Sequence, residues 1–284
     1  MEYKLLDKTE SINKVFVLED AEENKIIGKI TKSLSDRPFC VDLVDVNKRA
    51  KFVYNLAEYL GLPSISVDIK SVREIEPVRK RIEDGDISAD FEKEIFLRPY
   101  IGTVLSSFDR DQRAEIIERN ISDIISYMTL HLLVGNYDKK TGDYLVTENK
   151  NVISIDHQLS GPHPESEKES IGAFALPFNI DNPSHTGWCL EGSGAQNDNH
   201  LSMIEYFREE NVNYSDFQPY VKQVERLTSQ DISELMDSIT FKKAKEYKSY
   251  LMQRKGKIHS AIQEWAKKGF PLKSANILEQ QLQE

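Results

Sequence analysis

The sequence has only two cysteines, Cys40 and Cys189, and no Cys-x-x-Cys pair. Two distant thiols make no disulfide framework, so a reducing compartment, the cytoplasm, is expected. Long apolar runs are also missing. No stretch approaches the roughly 18 residues that a membrane span needs. The opening MEYKLLDKTESINK does not read as a secretory leader. Excess positive charge is missing too: 37 Lys+Arg stand against 47 Asp+Glu, a net charge of −10. That balance speaks against non-specific binding to nucleic acid and against docking on an anionic membrane. There is no glycine-rich G-x-G-x-x-G and no internal repeat.

What is present fits a globular enzyme or binding protein. The chain has 284 residues, 39% of them hydrophobic and 30% charged, enough for one large domain or two lobes. KVFVLE (14–19) and KIIGKITK (25–32) alternate around the turn AEEN and predict a hairpin. From Asn47, apolar residues recur at helical spacing up to Gly61, a C-terminal cap. SISVDI (64–69) reads as extended, 71–94 as irregular or partly helical, and IFLRPYIG (95–102) as a strand running into a connection. One long helix is expected from an Asp109 or Asp111 cap through Leu133, on the apolar face Ile116, Ile117, Ile121, Ile124, Ile125, Met128 and Leu132. Two short strands follow, near 143–147 and 152–155. Residues 160–200 are rich in Ser, Gly, Pro, Asn and His, and predict a long functional loop. From about 201 the chain reads as helical, with Thr228 and Asp231 framing a helix start. The order is thus a small β-rich half followed by a mostly helical half, a two-lobed plan with a cleft between the lobes.

Just inside the helical half lies GNYDKKTGDYLV (135–146), and beyond it ISIDHQ (153–158). Asp, Lys and Gly in a hairpin turn need no function. Three carboxylates so placed, Asp138, Asp143 and Asp156, also supply what phosphoryl transfer from ATP requires. One orients or deprotonates the attacking hydroxyl, and two give hard oxygen ligands to Mg²⁺. A lysine on a strand completes the set by steadying the α- and β-phosphates.

The segment GNYDKKTGDYLV…ISIDHQLSG resembles the catalytic segment of the HipA-like kinases and, more distantly, that of the type II phosphatidylinositol 4-kinases. Their pattern reads G-N-x-D-R-x-x-x-N-(Y/W)-L-(V/I), then I-D-(H/N/F)-G. Asp138 matches the family's catalytic aspartate and Asp156 its second metal ligand. Asp143 stands where the family has a metal-binding Asn. RAKFVYNLAEYLGLP (49–63) resembles the N-lobe helix and its exit, and IFLRPYIG resembles the hinge. The resemblance covers roughly residues 14–268. It implies an α+β, bilobal protein-kinase-like fold, with an N-lobe over 1–100 and a helical C-lobe over 101–284. The cofactors it implies are ATP and Mg²⁺. Adenine would be framed by Leu97, Arg98 and Tyr100 through backbone groups, and phosphates would be met by Lys29, with Lys32 as the alternate. The acceptor it implies is a Ser/Thr hydroxyl of a protein, with a regulatory partner protein as a further expectation and neither nucleic acid nor membrane as partner. The chain departs from the pattern in Lys139-Lys140 for the Arg-x, in Asp143, in Gln158 for the glycine, and in Ala50 where the lysine's Glu partner would stand. Those departures admit a nucleotide-binding pseudokinase or scaffold, and the same scaffold admits AMP transfer.

The remaining candidates have plainer readings. His157, His163, His185 and His200 with Cys189 fit no compact zinc-ligand spacing, and His157 reads as a structural hydrogen-bonder. Trp188, Phe174 and Phe178 read as loop anchors, and KKAKEYK (242–248) as a solvated helix face.

Overall fold

The structure, a computed structural model, describes residues 3–10, 14–30, 46–87, 94–136, 141–158, 160–161 and 212–267. In chain order its strands are β1 (Lys4–Glu10), β2 (Lys14–Glu19), β3 (Lys25–Ile30), β4 (Asp68–Ser71), β5 (Glu94–Pro99), β6 (Thr103–Val104), β7 (Tyr144–Val146) and β8 (Val152–Ser154). Its helices are α1 (Val46–Tyr59), α2 (Glu76–Glu83), α3 (Arg110–Arg119), α4 (Ile121–Val134), α5 (Tyr214–Arg226), α6 (Ser229–Asp237) and α7 (Ala244–Lys267). The chain divides into two compact units, Met1–Arg37 with Ile65–Ile101 and Pro38–Ser64 with Gly102–Glu284. A small antiparallel sheet unit and a helical unit make this a bilobal α+β fold of the protein-kinase kind.

In the first unit five strands pair antiparallel in the order β1-β2-β3-β5-β4. Alternation in β2 buries Phe16 and Leu18, which join Ile30, Ile95, Leu97 and the helix residues Ile75 and Val78 in one apolar cluster. Gly28 lies within it because a Cβ there would stand 2.7 Å from Ile95 Cδ1 and 3.2 Å from Leu18 Cδ1. A capping box between Ser71 and Glu74 starts a 3-10 turn, and Pro77 sits in the first turn of α2. The sequence reading had no strand before residue 14. β1 is a mostly polar ribbon, KLLDKTE, whose ladder to β2 rather than its own periodicity makes it a strand.

The second unit is built around α4, buried at every position from Ile124 to Val134. A helix apolar on all sides is a central helix. α1, α5 and α7 share its core through Phe52, Leu56, Phe217, Val221, Leu251 and Ile258. The Phe52 ring meets Tyr247 edge-on at 5.5 Å and Phe241 at 6.1 Å. This burial is why α1 belongs with the helical unit, whereas a division at residue 100 alone would place it with the sheet. The single helix expected to reach Leu133 is two, α3 and α4. Asn120 separates them: its amide donates to Ile116 O (2.7 Å) and Lys150 O (2.9 Å) and accepts from Val152 N (3.2 Å). The side chain thus serves a helix end and a hairpin at once, at the cost of helical continuity. β6, β7 and β8 form a three-stranded antiparallel sheet. Capping boxes at Asp109/Gln112, Asn213/Asp216 and Thr228/Asp231 start α3, α5 and α6. Among the described residues no helix is long and apolar enough to cross a membrane.

Candidate functional site

In the second unit, α4 stops at Gly135 in the left-handed conformation (φ 67°, ψ 37°). Asn136 follows, wholly buried, its N–H donating back to His131 O at 3.0 Å. Asp138, Lys139 and Lys140 lie outside the described residues. The chain resumes in a 3-10 turn, Thr141–Asp143, that delivers a buried Asp143 to the start of β7. Asp143 O accepts from Ile155 N at 2.7 Å, so the β7–β8 pairing extends by one bond toward the turn that carries Asp156.

Asp156 is half-buried with φ 60°. A non-glycine residue in the left-handed region is held there against a cost of order 1 kcal/mol or more, and such residues cluster at functional sites. The holding contact is visible: Asn136 Nδ2 donates to Asp156 O at 3.3 Å. The segment after α4 and the turn after β8 are therefore joined through one buried amide. Its other atom, Asn136 Oδ1, is buried and has no hydrogen-bond partner among the described residues.

Rings pack beneath this turn. His131 Nε2 bonds Ser154 Oγ at 3.0 Å, and His157 Nε2 donates to Ser154 O at 3.2 Å. The His157 ring lies 5.4 Å from His131 and meets Tyr54 edge-on at 4.6 Å. Tyr127 stacks on His131 at 6.2 Å and donates its hydroxyl to Pro63 O; burial pushes that hydroxyl's pKa up. Gln158, in the place of the family's glycine, is buried and donates to Asn47 Oδ1 on α1 at 3.2 Å. These contacts give His157 and Gln158 structural tasks. Ala50, on the same helix, is wholly buried and brings no carboxylate.

The first unit holds the other sequence-derived groups. Lys29 pairs across β3–β5 with Phe96, on the sheet face opposite Gly28 and Leu97. Lys32 lies outside the described residues. Leu97 is paired on one side with Gly28 and on the other with Asp68, and its side chain joins the core. Arg98 donates to Pro99 O at 3.1 Å, and the Tyr100 N–H donates to Lys25 O at 2.9 Å while the ring is 52% exposed. Leu97, Arg98 and Tyr100 line a groove of about 750 Å³ together with Lys25, Asp68 and Lys70.

Among the described residues no three His, Cys, Asp or Glu side chains gather as a metal site. Asp143, Asp156 and Asn136 Oδ1 are nonetheless hard oxygen donors drawn from adjoining backbone. That set suits Mg²⁺, which takes one or two carboxylates and otherwise keeps water. The histidines 163, 185 and 200 and Cys189 lie outside the described residues. Sequence reasoning placed Asn136 in its motif without giving it a task. It missed Asn120, His131 and Arg254, whose tasks are tertiary.

No protein-family model matches the chain, and no curated protein matches it. Among solved structures it is similar to a proinflammatory kinase, CtkA, of Helicobacter pylori. The two are 12% identical, the match covers 94% of this chain and 96% of that one, and the TM-score is 0.52. It also matches a MAP kinase of Leishmania major, again at 12% identity, over 94% of this chain and 83% of that one, with a TM-score of 0.41, too low to carry weight. At such identity the likeness to CtkA speaks for the fold alone.

Proposed function

We propose that this chain is an ATP- and Mg²⁺-dependent kinase of the cytoplasm that transfers the γ-phosphoryl group to a hydroxyl, a serine or threonine of a protein. The observation that supports this best is the strained Asp156, held left-handed through its carbonyl by the buried Asn136 of the GNYD segment, with Asp143 bonded to the residue before it.

In this reading the acceptor hydroxyl oxygen forms a bond to the γ-phosphorus while the bond to the β,γ-bridging oxygen breaks. ADP leaves, and the hydroxyl proton passes to the Asp138 carboxylate. Asp143 and Asp156 would hold Mg²⁺, which when bound offsets charge on the β- and γ-phosphate oxygens. Lys29 contacts the α- and β-phosphates. Leu97, Arg98 and Tyr100 frame the adenine through backbone groups. Asn136 does no chemistry; it fixes the backbone from which Asp156 projects.

One observation favours a second reading, a nucleotide-binding pseudokinase: Ala50, at the position where the resembled kinases carry a Glu, is buried and brings no carboxylate. ATP labelled at the γ- or the α-phosphorus separates the readings. Transfer of γ-label that Asp138→Ala and Asp156→Ala both abolish is expected. Transfer of α-label would establish AMP transfer instead. Mg-ATP stabilisation without transfer of either label would establish the pseudokinase. Absence of any metal-dependent stabilisation by ATP would end all three.

A further inference from the structure

The last turn of a helix leaves four carbonyls without intrahelical partners. For α4 all four are accounted for. His131 O accepts from the backbone N–H groups of Gly135 and Asn136. Val134 O accepts from Gly161 N at 2.8 Å. The two between them, Leu132 O and Leu133 O, are taken by one side chain 122 and 121 residues away. Arg254 Nε donates to Leu132 O at 2.8 Å and to Leu133 O at 3.1 Å, and its Nη2 donates to Leu132 O as well.

Arg254 is 4% exposed, so its charge is buried against the negative end of a helix dipole. Its guanidinium lies 5.2 Å from the Tyr250 ring centroid, and Tyr250 stacks in turn on Tyr247 at 6.4 Å. Tyr250 also closes the space at Gly135: a Cβ there would fall within van der Waals radius of the tyrosine hydroxyl, at 1.9 Å. One turn of α7 therefore fixes both the end of α4 and the left-handed residue that follows. From that residue it is one step to Asn136, which holds Asp156, and three to Asp138.

We propose that Arg254, seated on Tyr250, is a positioning residue for phosphoryl transfer: it locks the C-terminal end of α4 and so fixes where the chain leaves the helix at Gly135 and Asn136. This rests on the phosphotransfer reading above. The guanidinium fork suits the task because it spans two successive carbonyls, which an ammonium meets only as a point charge. A displacement of about 1 Å at a catalytic group costs on the order of 100-fold in rate, so a lock of this kind is visible in kcat while leaving nucleotide affinity intact.

The test compares Arg254→Met, which keeps the stem, with Arg254→Lys, which keeps the charge. Each full-length variant is followed by γ-label transfer, by Mg-ATP titration and by amide hydrogen exchange of the segment 131–136. In Arg254→Met the expected results are a kcat lower by about 10- to 100-fold, a KM for ATP within about threefold, and faster exchange at 131–136 with α5 unchanged. Arg254→Lys is expected to recover part of kcat and part of the protection. If Arg254→Met proves too unstable to assay, Tyr250→Phe and Tyr250→Leu, read the same way, carry the test: loss of the ring in Tyr250→Leu should speed exchange at 131–136 and lower kcat more than loss of the hydroxyl alone in Tyr250→Phe. A folded Arg254→Met with wild-type kcat overturns the proposal. So does a loss of kcat matched by equal loss of Mg-ATP binding and of α5 protection, which marks Arg254 as general core. If the wild-type protein transfers no label, the phosphotransfer reading fails and the positioning role with it, whereas the exchange data still decide whether Arg254 locks the end of α4.

Discussion

In the sheet of the first unit the backbone's polar groups are matched to one another; around the acidic turn of the second they are matched to side chains. β5 pairs on both sides, with β3 and β4, so Glu94–Pro99 is placed by ladders that do not depend on side-chain identity. The end of α4 and the β7–β8 hairpin depend on Arg254, Asn120 and Asn136, each reaching to backbone distant in sequence. A ladder tolerates substitution because each strand residue carries its own donor and acceptor. A side-chain anchor does not, since its removal leaves buried carbonyls and amides unpaired, at about 1–3 kcal/mol each. The second unit is therefore where single substitutions should be costly, and where stability and function should come apart.

The largest expected effect tests that separation at Asp156. Asp156→Gly removes the carboxylate and at the same time relieves the positive φ. Phosphoryl transfer should fall by on the order of 10³-fold, while stability holds or rises by about 0.5–1 kcal/mol. A denaturant midpoint lower by several tenths molar with unchanged slope would show that Asp156 is structural instead. Next comes Asn120→Ala, which strands Lys150 O and Val152 N, while Ile116 O keeps the bond from the backbone N–H of residue 120. A loss of about 2–4 kcal/mol is expected in urea unfolding; a loss under 1 would break the contrast between the two units. In the first unit, Gly28→Ala pushes a Cβ against the ends of Ile95 and Leu18, side chains that yield more readily than backbone. About 1–2 kcal/mol is expected, with the sheet retained in the far-ultraviolet spectrum. The smallest effect belongs to Lys70→Met, which gives up a 3.2 Å hydrogen bond to the Tyr3 hydroxyl and a cation–ring contact of 5.5 Å. There about 0.5 kcal/mol or less is expected, and a larger loss would mean that the edge of the sheet also relies on side-chain anchors.

Much of the fold was legible because it follows from local pattern. β2 and β3 alternate, α1 ends at Gly61 in the left-handed conformation (φ 71°), and Thr228 with Asp231 forms the expected capping box. β1 was not legible, because KLLDKTE shows no strand pattern until β2 is beside it. The break at Asn120 was not legible either. An asparagine within an apolar periodicity reads as an exposed polar residue until the hairpin it serves is in place. In the candidate site, the acidic residue types and their spacing were on the surface of the sequence. The tasks of Asn136 and Arg254 were not, because their partners lie 20 and 122 residues away.

The sequence by itself determined the chemistry on offer: carboxylates at Asp138, Asp143 and Asp156, a lysine on a β-strand, and a β-rich half ahead of a helical one. Only the tertiary structure decided that α1 packs with the helices, that one helix is two, and that Asp156 is held left-handed by a buried amide. The physical reason is range. Periodicity and caps are settled within a few residues, whereas a buried polar group must find its partner wherever the fold brings one, and no local pattern states where that is.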